Sequence, residues 1–169
     1  MASRTRSKGA GTPAIAALIR AGVAYAEHAY EHDPAASSYG GKAAEVMGVE
    51  PARVFKTLLA QTDRRENHGL VVAIVPVSGH LDLKALAAAV GTKKATMADP
   101  ALAERTTGYV VGGISPIGQK RALTTVLDAS ALEHETIYVS GGRRGLDLAL
   151  APADLIAVTG AVTAVIGRA

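Results

Sequence analysis

The chain has 169 residues, of which 49% are hydrophobic and 20% charged, with a net charge of +3 and a pI near 9.3. That length suits a single domain burying about two-thirds of its unfolded surface. Cysteine is absent, which excludes disulfides, a thiolate nucleophile and any cysteine–zinc site. The longest apolar run, residues 70–77, is far too short to span a bilayer. Residues 1–12 carry Arg4, Arg6 and Lys8 without an apolar stretch, so they do not read as a secretory signal, and a cytoplasmic location is expected.

Taken in chain order, residues 1–11 are small and basic and read as a flexible tail, with one domain over 12–169. Thr12-Pro13 reads as an N-cap followed by proline at the first helical position, and Gly22 is a fitting stop. Residues 23–30 partly alternate and predict a strand ended by Asp33-Pro34. A short helix over 42–47, a strand over 53–61 and a polar turn over 62–69 follow. Residues 70–76 are almost uninterruptedly apolar, as in a strand buried on both faces. Asp82 caps a helix reaching Val90, and Asp99-Pro100 starts another. Strands are expected over 109–111, 124–127, 136–139 and 146–150, and Pro152 opens a last helix reaching about Val158. The pattern is α+β: one domain with a mixed, curved sheet or barrel and short helices around it.

Four segments invite a chemical reading. His28-Ala29-Tyr30-Glu31-His32 matches an inverted zinc-protease motif, which works only on a helix. Along a strand, ligands four residues apart are separated by about 13 Å, too far to share one zinc, so no metal is expected. The run from Gly113 to Lys120 brushes a phosphate-loop pattern, but Gln119 and Lys120 stand where Lys and Ser/Thr are needed. Its glycines still let backbone approach a ligand closely and offer N–H donors. Lys56, in Val54-Phe55-Lys56-Thr57-Leu58, shares a strand face with Val54, Leu58 and Ala60. A lysine there snorkels at an edge or lines a cavity, where burial would lower its pKa. Ser140-Gly141-Gly142-Arg143-Arg144-Gly145 reads as a hairpin whose glycines and arginines could meet an RNA backbone. Ser115, Ser140, His28, His32 and Asp147 are available for a triad, but spacing alone does not assemble one. The pairs Lys93-Lys94, Lys120-Arg121 and Arg143-Arg144, with the basic tail, make a polyanionic partner plausible.

Several of these segments, with Tyr30-Glu31-His32-Asp33-Pro34, Leu81-Asp82-Leu83-Lys84, Met97-Ala98-Asp99-Pro100 and Thr107-Gly108-Tyr109-Val110-Val111-Gly112-Gly113-Ile114-Ser115-Pro116, resemble the YbaK/EbsC family of aminoacyl-tRNA editing proteins. Ile137-Tyr138-Val139-Ser140-Gly141-Gly142 and Arg144-Gly145-Leu146-Asp147 complete an ordered set covering most of the chain. The resemblance implies the fold of the prolyl-tRNA synthetase editing domain. It also implies an activity, release of a wrong amino acid from tRNA without a cofactor, chiefly cysteine from proline tRNA. Lys56 matches the family's essential lysine, and Gly112 and Gly113 match the loop beside the scissile ester. Tyr30, Ser140 and Asp147 match other pocket positions, Ser115 lies in the matched glycine loop, and Tyr39 stands where the family has Phe. Prolyl-tRNA synthetase is the implied protein partner. A deacylase for alanine or another small residue, or a non-catalytic tRNA-binding module, remains open on the sequence alone.

Overall fold

The computed structural model describes residues 11–31 and 39–169, with only the backbone of 39–42. Residues 1–10 of the expected basic tail lie outside the described residues. Helix α1 (Pro13–Ala21) starts where the sequence places it: the Thr12 hydroxyl accepts from the Ile15 N–H and donates to the Gly141 carbonyl. Strand β1 (Ala26–Ala29) and helix α2 (Tyr39–Met47) follow.

A long antiparallel pair, β2 (Phe55–Thr62) and β3 (Leu70–Pro76), forms the centre. Then come β4 (His80–Leu81), α3 (Leu83–Ala89), β5 (Ala95–Met97) and α4 (Pro100–Thr107). The Asp82 and Asp99 carboxylates cap the two helices on the N–H groups of Ala85 and Leu102. The chain ends through β6 (Thr124–Asp128), β7 (Ile137–Arg143), β8 (Leu146–Leu150), α5 (Pro152–Thr159), β9 (Val162–Ala164) and β10 (Gly167–Arg168).

Among the described residues these strands make a five-stranded sheet in the order β5-β2-β3-β6-β9, a three-stranded sheet β1-β8-β7, and the small pair β10-β4. The larger sheet is mixed, antiparallel from β5 to β3 and parallel from β3 to β9. The expected α+β class holds, but the sheets do not close into a barrel. Among the described residues one parallel bridge, Val54 to Tyr138, links the two larger sheets.

Strand β3 is the reason for a core on each side of the sheet. Leu70, Val72 and Ile74 pack towards α1, α5 and the three-stranded sheet. Val71, Ala73 and Val75 pack towards Leu86 of α3 and Ile166 near the C-terminal end. The Asp128 carboxylate ties that end down, accepting from the Ile166 and Gly167 N–H groups at 2.9 Å each. Against the upward pull of burial, the Ser130 hydroxyl first and then these backbone donors hold its pKa below the ordinary value.

One expected strand is absent. Residues 109–111 form a loop in which Tyr109 is buried, its hydroxyl donating to the Ile117 carbonyl at 2.6 Å. The Val111 N–H donates to the Glu104 carboxylate at 2.8 Å, and its carbonyl accepts from the Arg144 guanidinium at 2.7 and 3.0 Å. With side chains holding both backbone groups, no sheet ladder forms there. The same loop presses Gly113 against the β7–β8 turn: a Cβ at Gly113 would lie 2.8 Å from the Arg144 nitrogen and 2.9 Å from Arg143 backbone carbons. Gly113→Ala should therefore destabilise by about 1–3 kcal/mol, the usual scale of overpacking. Thermal unfolding should show a loss of several degrees, at roughly 2–4 °C per kcal/mol for a domain of this size.

Candidate active site

Beside the Val54–Tyr138 bridge, between residues of both sheets, lies a cavity of about 330 Å³. Its floor is β2. That strand pairs with β3 from Phe55 to Gln61, but on its other edge β5 reaches only Ala60 to Thr62. Residues 55–58 therefore present an unladdered edge to the cavity. The walls come from Pro100 and Ala103 of α4, Val111, Gly112 and Ile114 of the glycine loop, Ala43 of α2, and Ser140 and Asp147 of the small sheet. The lining is mostly apolar with a few convergent polar groups, as in most small-ligand sites.

Lys56 is half-buried there, and its ammonium donates to the Gly79 carbonyl at 3.0 Å. Desolvation by burial lowers its pKa from the ordinary lysine value. Thr57, beside it, was not singled out by sequence reasoning. Its Oγ1 is a buried polar atom with no hydrogen-bond partner among the described residues. Leaving such an atom unpaired costs about 1–3 kcal/mol, so a partner from outside the protein, a water or a ligand, is expected there. The available signal was its place in the same motif, on the strand face of Phe55 and Leu59.

Asp147 lies on β8 directly opposite Ser140 of β7 and His28 of β1, and is 5% exposed. Burial pushes its carboxyl up to about 7, opposed by the Tyr30 hydroxyl, which donates to it at 3.4 Å. Tyr30 is in turn raised well above the ordinary tyrosine value, first by burial and then by the Asp147 charge. The Ser140 hydroxyl accepts from the Gly142 N–H at 3.2 Å. Lys56, Gly112, Tyr30, Ser140 and Asp147 thus line one cavity although they come from five separate stretches of chain.

The other expected residues are placed differently. Gly113 does not line the cavity, and its N–H donates to the Val110 carbonyl at 2.9 Å, so it is not free to stabilise an oxyanion. Gly112 does line it, with φ of 90°, a conformation that favours glycine. Ser115 is fully buried, its hydroxyl accepting from the Ile117 N–H at 3.2 Å; it shapes the loop's turn and does not line the cavity. Tyr39 opens α2, and its side chain lies outside the described residues. His28 is on a strand, edge-on to the Tyr138 ring at 5.3 Å, and His32 lies outside the described residues. Among the described residues no group of three or more His, Asp or Glu side chains is arranged to hold a metal. Arg144, in the hairpin whose glycines and arginines could meet an RNA backbone, is exposed and donates to the Val111 carbonyl.

A family model described as an aminoacyl-tRNA editing domain matches residues 32–158. The chain belongs to that family. Its editing-domain relatives include EbsC of Enterococcus faecalis, named as a candidate Cys-tRNA(Pro)/Cys-tRNA(Cys) deacylase, which is 43% identical over 116 residues covering 69% of each chain. The fold of this editing domain is shared with a solved structure described as a candidate trans-editing enzyme for prolyl tRNA synthetase, at 24% identity, a TM-score of 0.77, and coverage of 95% of this chain and 100% of the other. A second solved structure, the hypothetical protein APE2540, superposes with a TM-score of 0.79 at 23% identity, covering 92% and 99% of the two chains. No helix among the described residues of this editing domain is long and apolar enough to cross a membrane.

The Asp147 carboxyl makes a pH test available. A folded pKa of about 7 against an ordinary 3.8 means the folded state holds a proton that the unfolded chain has released. Stability should therefore fall as pH rises from about 4 to 7. The loss should reach a few kcal/mol, since each tenfold difference in proton affinity between the two states is worth roughly 1.4 kcal/mol. Asp147→Asn should flatten that slope and be more stable than the parent above pH 7 in urea unfolding measured across the range.

Proposed function

We propose that this chain deacylates mischarged tRNA in trans, with cysteine on proline tRNA as its principal substrate and cysteinyl-tRNA(Cys) as a second one. The observation that carries this reading is the cavity: small, mostly apolar, and furnished with one buried carboxyl, one partly desolvated lysine and one orphan hydroxyl. Those groups match an aminoacyl ester. No basic side chain contributes to the raised pKa of Asp147, and a buried carboxyl in that state fits the substrate's α-ammonium. Lys56 and the Gly112 backbone are suited to charge developing on the carbonyl oxygen as the ester is attacked. The Thr57 hydroxyl is suited to a polar atom of the aminoacyl group. The EbsC relative supports cysteine as the amino acid, and the trans-editing description of the structural neighbour supports prolyl-tRNA synthetase as the partner that supplies the substrate. A cytoplasmic location follows from that partnership.

The site needs little chemistry of its own. In our reading the substrate's thiol sulfur attacks the carbonyl carbon, the ester C–O bond to the ribose breaks, and the thiol proton ends on the ribose oxygen. The product is a thiolactone that water opens to cysteine. A tethered, oriented thiol has an effective molarity on the order of 10⁵ M or more, part of which ring strain in the thiolactone offsets. The protein's share is to hold the ester, exclude water and stabilise the oxyanion.

Lys56→Ala should lower deacylation of cysteinyl-tRNA(Pro) at least about a hundredfold, the scale of one lost electrostatic contact. Its circular dichroism and melting should stay near the parent's, because Lys56 is only half-buried and its partner is one carbonyl. Seryl-tRNA(Pro), isosteric but weakly nucleophilic, should turn over far more slowly. Equal rates for the two, or solvent oxygen in the first product released, would replace thiol attack by direct hydrolysis. A parent chain inert towards cysteinyl- and alanyl-tRNA alike would leave only tRNA binding.

Thr57→Val separates binding from folding. Replacing an unpaired buried hydroxyl by an isosteric methyl should leave stability unchanged or higher, while turnover falls about two- to tenfold for one lost hydrogen bond. Paired melting and single-turnover measurements check both halves.

A further inference from the structure

A second cleft, of about 720 Å³, lies on the other side of α4. It is lined by Arg65, Asn67 and His68 from the β2–β3 turn, Leu102, Arg105 and Thr106 from α4, and Lys120, Arg121 and Ala122. Four permanent cations from three separate segments therefore converge on one concavity with no carboxylate in its lining. Each of the four is exposed. Two acids near it are engaged elsewhere: Glu66 pairs with Arg64 at 3.6 Å, and Glu104 accepts from the Val111 N–H. The turn that supplies Arg65 and His68 is held in shape. Asn67 and His68 have φ of 51° and 59°, uncommon for residues with a side chain, and the His68 and Gly69 carbonyls accept from Gln61 and Thr62.

We infer that this cleft binds the RNA phosphate backbone of the substrate's acceptor end. Convergent guanidinium and ammonium groups, with Asn67 and Thr106 as neutral hydrogen-bonding groups, form a phosphate-binding set. The placement argues for RNA over an acidic protein surface. Helix α4 is a shared wall: Pro100 and Ala103 line the first cavity, whereas Leu102, Arg105 and Thr106 line the second. The two sites are thus separated by about one helix width, roughly 10–12 Å. A polyanion whose terminal ester sits in the first cavity must carry its nearest phosphates past that distance, whereas a protein partner has no such constraint. The assignment rests on the deacylase reading for the identity of the RNA, not for the presence of the anion site.

The test uses a fluorescent, uncharged acceptor-stem hairpin RNA with a single-stranded CCA end, titrated with full-length protein at salt from about 50 to 200 mM. Arg105→Ala/Arg121→Ala should weaken binding at least about tenfold and make the log K against log salt slope shallower by about 1 per cation removed. Arg65→Ala/Lys120→Ala is the second pair and should act alike; melting curves establish that both are folded. Lys93→Ala/Lys94→Ala, outside the cleft, should change binding less than about twofold, the scale of a lone surface charge. With charged tRNA, the cleft variants should raise KM and leave kcat near the parent's, as loss of uniform binding requires. Unchanged affinity and slope in both folded pairs would overturn the proposal. So would a fall in kcat at constant KM, or a defect seen only when prolyl-tRNA synthetase is present, which would make the cleft a protein-docking site. If the parent binds the hairpin through the cleft but deacylates no charged tRNA, the proposed function fails and the anion site stands.

Discussion

Two sheets joined at one bridge determine most of what this molecule does. Had β2 and β7 laddered along their length, the edge of β2 from Phe55 to Leu58 would be occupied by backbone partners. Among the described residues only Val54 and Tyr138 are bridged, so that edge carries no ladder, and its residues line a cavity. An open strand edge is usually a liability, managed by covering or blunting it. Here it is enclosed by α4, the glycine loop and the small sheet. The enclosure also desolvates Lys56, Thr57 and Asp147, which is the source of their unusual properties.

The glycine loop is held by partners outside itself. Val111 is gripped at its N–H by Glu104 from α4 and at its carbonyl by Arg144 from the β7–β8 turn. Gly113 is packed on the backbone of that same turn, and Gly118 lies against Pro13 at the start of α1, where a Cβ would meet the Pro13 carbonyl oxygen at 2.5 Å. A loop fixed at three points presents Gly112 to the cavity without having to order itself when a ligand arrives. Preorganisation of this kind is what turns backbone dipoles into useful electrostatics.

Most of the fold was legible because its signals are local. Asp82, Asp99 and Thr12 each cap the helix they announce, and the apolar run at 70–76 is the doubly buried strand it suggests. What stayed hidden depends on distant partners. The strand expected at Tyr109–Val111 has the right residue types, but charged side chains 7 and 33 residues away occupy its backbone. Strands β4, β5, β9 and β10 are two or three residues long, too short for alternation to show. At the site, Lys56 stood out as a charge on an apolar strand. Thr57 did not, because an unpaired hydroxyl is a property of surroundings and not of type. The basic cleft was half visible as Lys120-Arg121; only the fold adds Arg65 and Arg105 to it.

A lysine and an aspartate in one small cavity could form an ion pair, which would hold the carboxyl below its ordinary pKa and keep the ammonium charged. These two do the opposite. Lys56 donates to the neutral carbonyl of Gly79, while Asp147 faces Tyr30, and both are shifted towards their neutral forms by burial. Each charge is therefore left without a counter-charge among the described residues. A site in that state favours a ligand that brings its own: a cation for Asp147, and an oxygen on which negative charge develops for Lys56. An aminoacyl ester carries both, a few bonds apart. In the proposed reading, an alkyl ester lacking the α-ammonium would leave Asp147 as it is, so the burial of Asp147 would itself favour an amino acid, before any side-chain pocket is considered.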